Sequence, residues 1–334
     1  MKKVALTVIT LVLLSACNEG SMSSKSDTDS TASLPATVEG PEATTVAENL
    51  ALGRPVIMAH ASGEQLRPHS TPYGYAEATK DGVDILDLDV LLTKDGVLVV
   101  QHDLNVDGGT DGTGNVIDMT YDQILALDNA YWFTKDCTCK DKQESEYIFR
   151  GIRTGKVTPP PSYTPEDFII PRFIDIATKY PQYMLNIEIK DVFPAAVPAA
   201  KELARILDEL GANERAVVTS FDDLVIDEFR KIAPTVELSP GRANLVNWFI
   251  NKVPIPHGMR ILQIPTEEPA VKFELNAEFV ARAHAEGFIL WIWESDSTLK
   301  NAAYYTDLLN LKIDGIDAAN PAEAMIALKA FVKG

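Results

Sequence analysis

Residues 87–103, Asp-Leu-Asp-Val-Leu-Leu-Thr-Lys-Asp-Gly-Val-Leu-Val-Val-Gln-His-Asp, set ionisable groups into two apolar runs. Side chains two apart on a strand face the same way, so Asp87 and Asp89 project together. Glu188 and Lys190 do the same in Asn-Ile-Glu-Ile-Lys at 186–190, and His60 and His102 each end an apolar run. Three carboxylates from two strands suit a hard divalent cation, Mg²⁺ or Ca²⁺. Two imidazoles beside them can serve as general acid and general base. A lone strand carboxylate is often an ion-pair partner. The coincidence of two same-face pairs with two strand-end histidines carries the catalytic reading.

Such groups need strands to hold them, and the chain has the rhythm. Short β-rich runs recur at 55–60, 84–92, 184–190, 216–221, 236–239, 261–264, 288–293 and 313–317. Helical patterns lie between most of them. The run 195–211 ends on Gly211 and 276–287 on Gly287, and 222–233 stops before Pro234. The last, from Asn320, opens with a cap residue and a proline. Strands alternating with helices indicate parallel βαβ units, and eight strands in this length point to an α/β fold, a (β/α)8 TIM barrel. A doubly wound open sheet is the alternative, but the glycine-rich phosphate fingerprint expected after its first strand is missing. A ninth run, 97–102, follows strand two after Thr93-Lys94-Asp95-Gly96 and reads as a hairpin arm. Residues 103–172 then form a long insertion, with Gly108-Gly109, two cysteines and Pro159-Pro160-Pro161. Excursions of that length usually serve function, and a leaving-group pocket is expected there.

The 334 residues are 46 % apolar, enough for one large core, and carry a formal charge of −18. That balance argues against nucleic acid, which demands a basic face. Nothing implies a protein partner.

The motifs fall in a known order. Ala-His-Ala-Ser-Gly-Glu-Gln-Leu-Arg-Pro-His-Ser-Thr at 59–71, the Asp-Leu-Asp to His-Asp stretch at 87–103, Glu188-Ile189-Lys190, Ser220-Phe221, Trp293 and Asp314-Gly315-Ile316 resemble the glycerophosphodiester phosphodiesterase family. The resemblance runs from about residue 55 to 325. It implies a TIM barrel that hydrolyses glycerophosphodiesters to an alcohol and glycerol phosphate. By the same resemblance Asp87, Asp89 and Glu188 bind one metal ion, His60 and His102 form the acid–base pair, Lys190 contacts the phosphate and Trp293 packs on the glycerol.

Departures from the family pattern are specific. Ala61 stands where the family has arginine, His69 and Ser70 where it has Glu-Asn, Asp87 where it has a longer glutamate, and Ala318-Ala319 where it has Thr-Asp. Arg67, close in sequence, is expected to help Lys190 supply the missing phosphate contact. His69 is either an extra ligand or proton donor, or a loop histidine meeting solvent. Two further functions stay open: a lysophospholipase D- or sphingomyelinase D-like phosphodiesterase, and a non-catalytic phosphodiester-binding surface lipoprotein.

The first residues, Met-Lys-Lys and a short apolar run to Leu14-Ser15-Ala16-Cys17, read as a signal peptide (1–16). The small residues before Cys17 resemble a bacterial lipoprotein cleavage site, implying that Cys17 becomes the lipidated terminus of an exported, membrane-anchored protein. An ordinary signal peptide cut nearby is the alternative. Losing Lys2 and Lys3 takes the charge from −18 to −20. Residues 17–50, poor in large apolar side chains, read as a flexible tether to a domain at 51–334. Cys137 and Cys139 are expected to form a local disulfide rather than two free thiols or a metal site.

Overall fold

A computed structural model describes residues 40–135, 137–256, 258–296 and 298–333. Cys17 and residues 1–16, read above as a signal peptide, lie outside these residues. Eight parallel strands form a near-closed TIM barrel: β1 Val56–Ala59, β2 Ile85–Leu92, β4 Met184–Ile189, β5 Ala216–Thr219, β6 Glu237–Leu238, β7 Ile261–Pro265, β10 Ile289–Trp293 and β11 Gly315–Ala318. Their spatial order is β6-β5-β4-β2-β1-β11-β10-β7, and among the described residues no ladder joins β6 to β7. β6 is only two residues long, although the apolar run suggested four. The hairpin arm is present as β3, Leu98–Val100, antiparallel to β2 with Val90 opposite Val100. A further short antiparallel pair is formed by β8 Glu267–Glu268 and β9 Phe273–Glu274.

Helices follow most strands: α2 Pro72–Asp81, α4 Phe173–Lys179, α5 Val197–Glu209, α6 Asp223–Ile232, α7 Arg242–Asn251, α8 Ala277–Ala285, α9 Ala302–Asn310 and α10 Pro321–Lys333. A short α3, Tyr121–Leu125, lies in the insertion. Asp222, Asn276 and Asn301 cap α6, α8 and α9 by accepting from backbone N–H groups of the first turn. Outward side chains such as Leu86, Leu88 and Val90 join the helix-covered core.

Residues 40–50, expected to belong to a flexible tether, are built into the fold. α1, Val46–Leu50, is closed by a capping box between Thr45 and Glu48. Ala43 and Val46 are buried. Val46 packs with Val56, Met58, Ile85, Met184, Val217, Ile261 and Trp291, an apolar floor inside the barrel. One capped turn with two buried residues suffices to dock a segment whose average composition is polar.

Above this floor comes a polar layer. Asn186 donates to Asp87 (2.8 Å) and exchanges two hydrogen bonds with Gln263 (2.8 and 2.9 Å). The strand period of two lifts the next inward residues, Asp89, Glu188, Thr219, Pro265 and Trp293, to the C-terminal mouth, where barrel enzymes do their chemistry.

Candidate active site

A cavity of about 320 Å³ opens at this mouth. His60, His102, Asp87, Asp89, Glu188, Lys190 and Trp293 all line it. The ladder sets Asp89 beside Glu188 and Asp87 beside Asn186. Lys190 Nζ lies 3.4 Å from Asp89 Oδ1 and 3.3 Å from Glu188 Oε2. Trp293 faces Phe221 across the cavity, ring centres 6.1 Å apart.

The two histidines are equipped alike. His60 opens a tight turn directly after β1, and its Nδ1 meets Glu64 Oε1 at 3.1 Å. His102 follows β3, and its Nδ1 meets Asp103 Oδ1 at 2.9 Å. Their ring centres are 5.9 Å apart. Burial by itself would lower the His60 pKa, but Glu64, Asp317 and Asp87 outweigh it and hold the imidazole well above its usual value. For His102 the same burial is outweighed by the bond to Asp103, and the pKa again rises.

Asp317 and Glu294 also line the cavity and were not singled out in the sequence. Asp317 lies two residues beyond Gly315 on β11, so strand parity alone points it inward with Asp87. The Asp-Gly-Ile motif drew attention to its neighbours instead. Burial, then Asp87, drive its carboxyl well above the usual range. His60, Asp87 and Asp317 each offer a ligand atom, all within 4.8 Å of one another, and could hold a metal ion. Among the described residues this is the only such trio of His, Cys, Asp or Glu. Asp87, Asp89 and Glu188 share the cavity without closing to that spacing, and Lys190 contacts both Asp89 and Glu188. Asp89 Oδ2 and Asp317 Oδ1 are buried without a hydrogen-bond partner. Buried carboxylates in that state are costly unless a cation meets them, so the donor set fits a divalent ion.

Arg67 is placed elsewhere. It is buried, Nη2 bonds Asp81 Oδ2 of α2 at 2.6 Å, and it does not line the cavity, so it cannot be the phosphate contact expected of it. The arginine at the mouth is Arg242, paired with Glu268 at 3.2 Å. Ala61 gives only its backbone N–H, donated to Asp87 Oδ2 at 3.1 Å. His69 does not meet solvent as a loop residue would. It is buried, its ring centre 6.4 Å from that of His102. No described residue of 103–172 lines the cavity, whereas a leaving-group pocket was expected there. Cys137 and Cys139 are joined as a disulfide.

A parallel barrel with carboxylates, a lysine and two carboxylate-oriented histidines in one mouth has the parts of a metal-assisted acid–base hydrolase. The chain matches the glycerophosphoryl diester phosphodiesterase family over residues 60–322 and belongs to that family. A glycerophosphodiester phosphodiesterase of Bacillus altitudinis is 24 % identical over 274 residues, covering 80 % of this chain and 96 % of that one. The crystal structure of a glycerophosphodiester phosphodiesterase from Agrobacterium tumefaciens superposes with a TM-score of 0.59 at 20 % identity, over 81 % of this chain and 99 % of that one. An Oleispira antarctica phosphodiesterase, solved with its product sn-glycerol-3-phosphate, gives 0.62 at 16 % identity, over 84 % and 99 %.

Proposed function

We propose that this chain hydrolyses glycerophosphodiesters to an alcohol and glycerol phosphate, with one divalent cation, Mg²⁺ or Ca²⁺, and His60 and His102 as the acid–base pair. The observation that supports it best is the meeting of both histidines with Asp87, Asp89, Glu188 and Lys190 in one cavity.

In this reading Asp87 and Asp317, already at ligand spacing, would hold the cation with Asp89 and Glu188 closing on it, and the third atom at that spacing, on His60, is kept for proton transfer rather than ligation. Bound there, the cation would offset the charge on the non-bridging phosphate oxygens as it grows in the transition state. Glu64 and Asp103 accept from Nδ1–H of His60 and His102, which leaves each Nε2 for proton exchange with substrate. One histidine takes the proton of the attacking glycerol hydroxyl as its oxygen bonds to phosphorus. The other protonates the departing alkoxide. Water then opens the cyclic phosphate, with the roles reversed. Lys190 adds a point charge toward the phosphate, and Trp293 with Phe221 offers apolar faces to the glycerol carbons.

A specific observation favours acyl-bearing substrates as a second reading. An apolar crevice of Leu245, Phe249, Ile264, Val271 and Phe273 adjoins the cavity and shares Leu245, Pro265, Arg242 and Glu268 with it. Phe193 and Phe221 are exposed on the loops after β4 and β5, and Leu224 is exposed in the first turn of α6. The deciding experiment compares glycerophosphocholine with lysophosphatidylcholine as substrates for the wild type and Asp87→Asn. Water-soluble glycerophosphodiester should be the better substrate, and Asp87→Asn should lose at least about 100-fold with both. Preference for the lysolipid would favour the second reading. Binding without turnover of either would leave a phosphodiester-binding protein. We further propose export and lipid attachment at Cys17, tested by whether Cys17→Ser releases the protein from membranes.

A further inference from the structure

His102 is weakly held for a catalytic base or acid. Among the described residues its one side-chain hydrogen-bond partner is Asp103, the next residue, whose side chain is 48 % exposed. Such a bond orients the ring's nitrogen without fixing where the ring stands. His69 packs edge-on against it, interplanar angle 75°.

His69 is in turn seated by the insertion. Asn129 Nδ2 donates to its carbonyl oxygen at 3.3 Å. A Cβ on Gly109 would lie 3.3 Å from His69 Nε2 and 3.1 Å from Asn129 Oδ1. A Cβ on Gly108 would lie 2.9 Å from Asp103 Oδ2. The two glycines therefore cover the two residues that flank His102, and the close approach explains a Gly-Gly pair there. The Gly109 carbonyl is tied down by Trp132 N–H at 3.3 Å. None of the insertion's described residues lines the cavity, yet it closes on the histidine's supports.

We propose that the insertion holds His102 in its working position through His69 and the Gly108–Gly109 pair, so that His69 is a positioning residue. This rests on the acid–base role of His102 given above. Misplacing a catalytic group by about 1 Å can cost on the order of 100-fold in rate. His69→Ala should therefore lower kcat by about 10- to 100-fold while KM for glycerophosphocholine stays within about threefold. His69→Phe keeps a flat ring and should retain most of kcat. Gly109→Ala presses on the same ring and should give a smaller loss of the same kind, which covers the case of a poorly folding His69→Ala.

The deciding measurement is a double-mutant cycle with His102→Ala. The loss from His69→Ala should vanish in that background. Wild-type kcat in His69→Ala, an equal loss with and without His102, or a His69→Phe enzyme as slow as His69→Ala would each overturn the proposal. Failure of the acid–base reading shows separately, as wild-type turnover by His102→Ala alone.

Discussion

At His60 and His102 a carboxylate meets Nδ1 of each ring, Glu64 four residues on and Asp103 one residue on. Replacing either histidine by alanine should lower kcat by about 10²- to 10⁴-fold, read by steady-state kinetics. The bond at Arg67 has a different consequence. Its guanidinium is sequestered against Asp81, so Arg67→Ala should leave kcat/KM within about threefold. It should lower stability by about 1.5–3 kcal/mol, the range for a hydrogen bond to a charged group, measured by denaturant unfolding. The residues ending β1, β2, β3 and β4 could be read from the sequence because strand parity and strand ends are local properties. Arg67 could not, since its partner lies 14 residues on and only the fold of α2 decides which way the side chain turns. Asp317 was within reach by the same parity that gave Asp87. His69 was not, because its burial depends on residues of the distant insertion.

Strands and helices were legible where periodicity is strong. The eight barrel runs, the Asp-Gly hairpin and α5, α6, α8 and α10 lie where apolar pattern and caps indicate. What escaped is short or governed by packing: α1 with its one capped turn, and the length of β6, two residues where the run suggested four. One element-scale device is Gly315. A Cβ there would lie 2.6 Å from Trp291 Cδ1 and 2.9 Å from Val56 Cγ2, so only glycine lets the Trp291 ring fill the barrel floor. Gly315→Ala must shift that ring or the β1–β11 ladder. A loss of about 1–3 kcal/mol is expected, the usual scale for overpacking, with a lower melting temperature as the check.

Across the whole molecule the chain carries −18, and the cavity is lined by Asp87, Asp89, Glu188, Glu268, Glu294 and Asp317, with Lys190 against Asp89 and Glu188. Burial raises Asp87 to about 6, with Asp89 adding to it, and raises Glu188 to about 7 against the pull of Lys190. Between the ordinary carboxylate range and these values the folded chain binds more protons than the unfolded one. These groups therefore make the metal-free protein less stable as pH rises through about 4 to 7. A cation needs them deprotonated, so its stabilising effect should grow over the same window. The melting-temperature gap between Mg²⁺- or Ca²⁺-loaded and chelated protein should be small at pH 5 and large at pH 8. An equal gap at both would break the link between these carboxylates and the metal.

Metal-dependent cleavage of a glycerophosphodiester is the claim on which the rest depends, and turnover of glycerophosphocholine before and after exhaustive chelation tests it most directly. Choline and glycerol phosphate should form with Mg²⁺ or Ca²⁺, cease on chelation and return when the ion is restored. Undiminished turnover in the chelated protein, or none with any divalent ion, would contradict it.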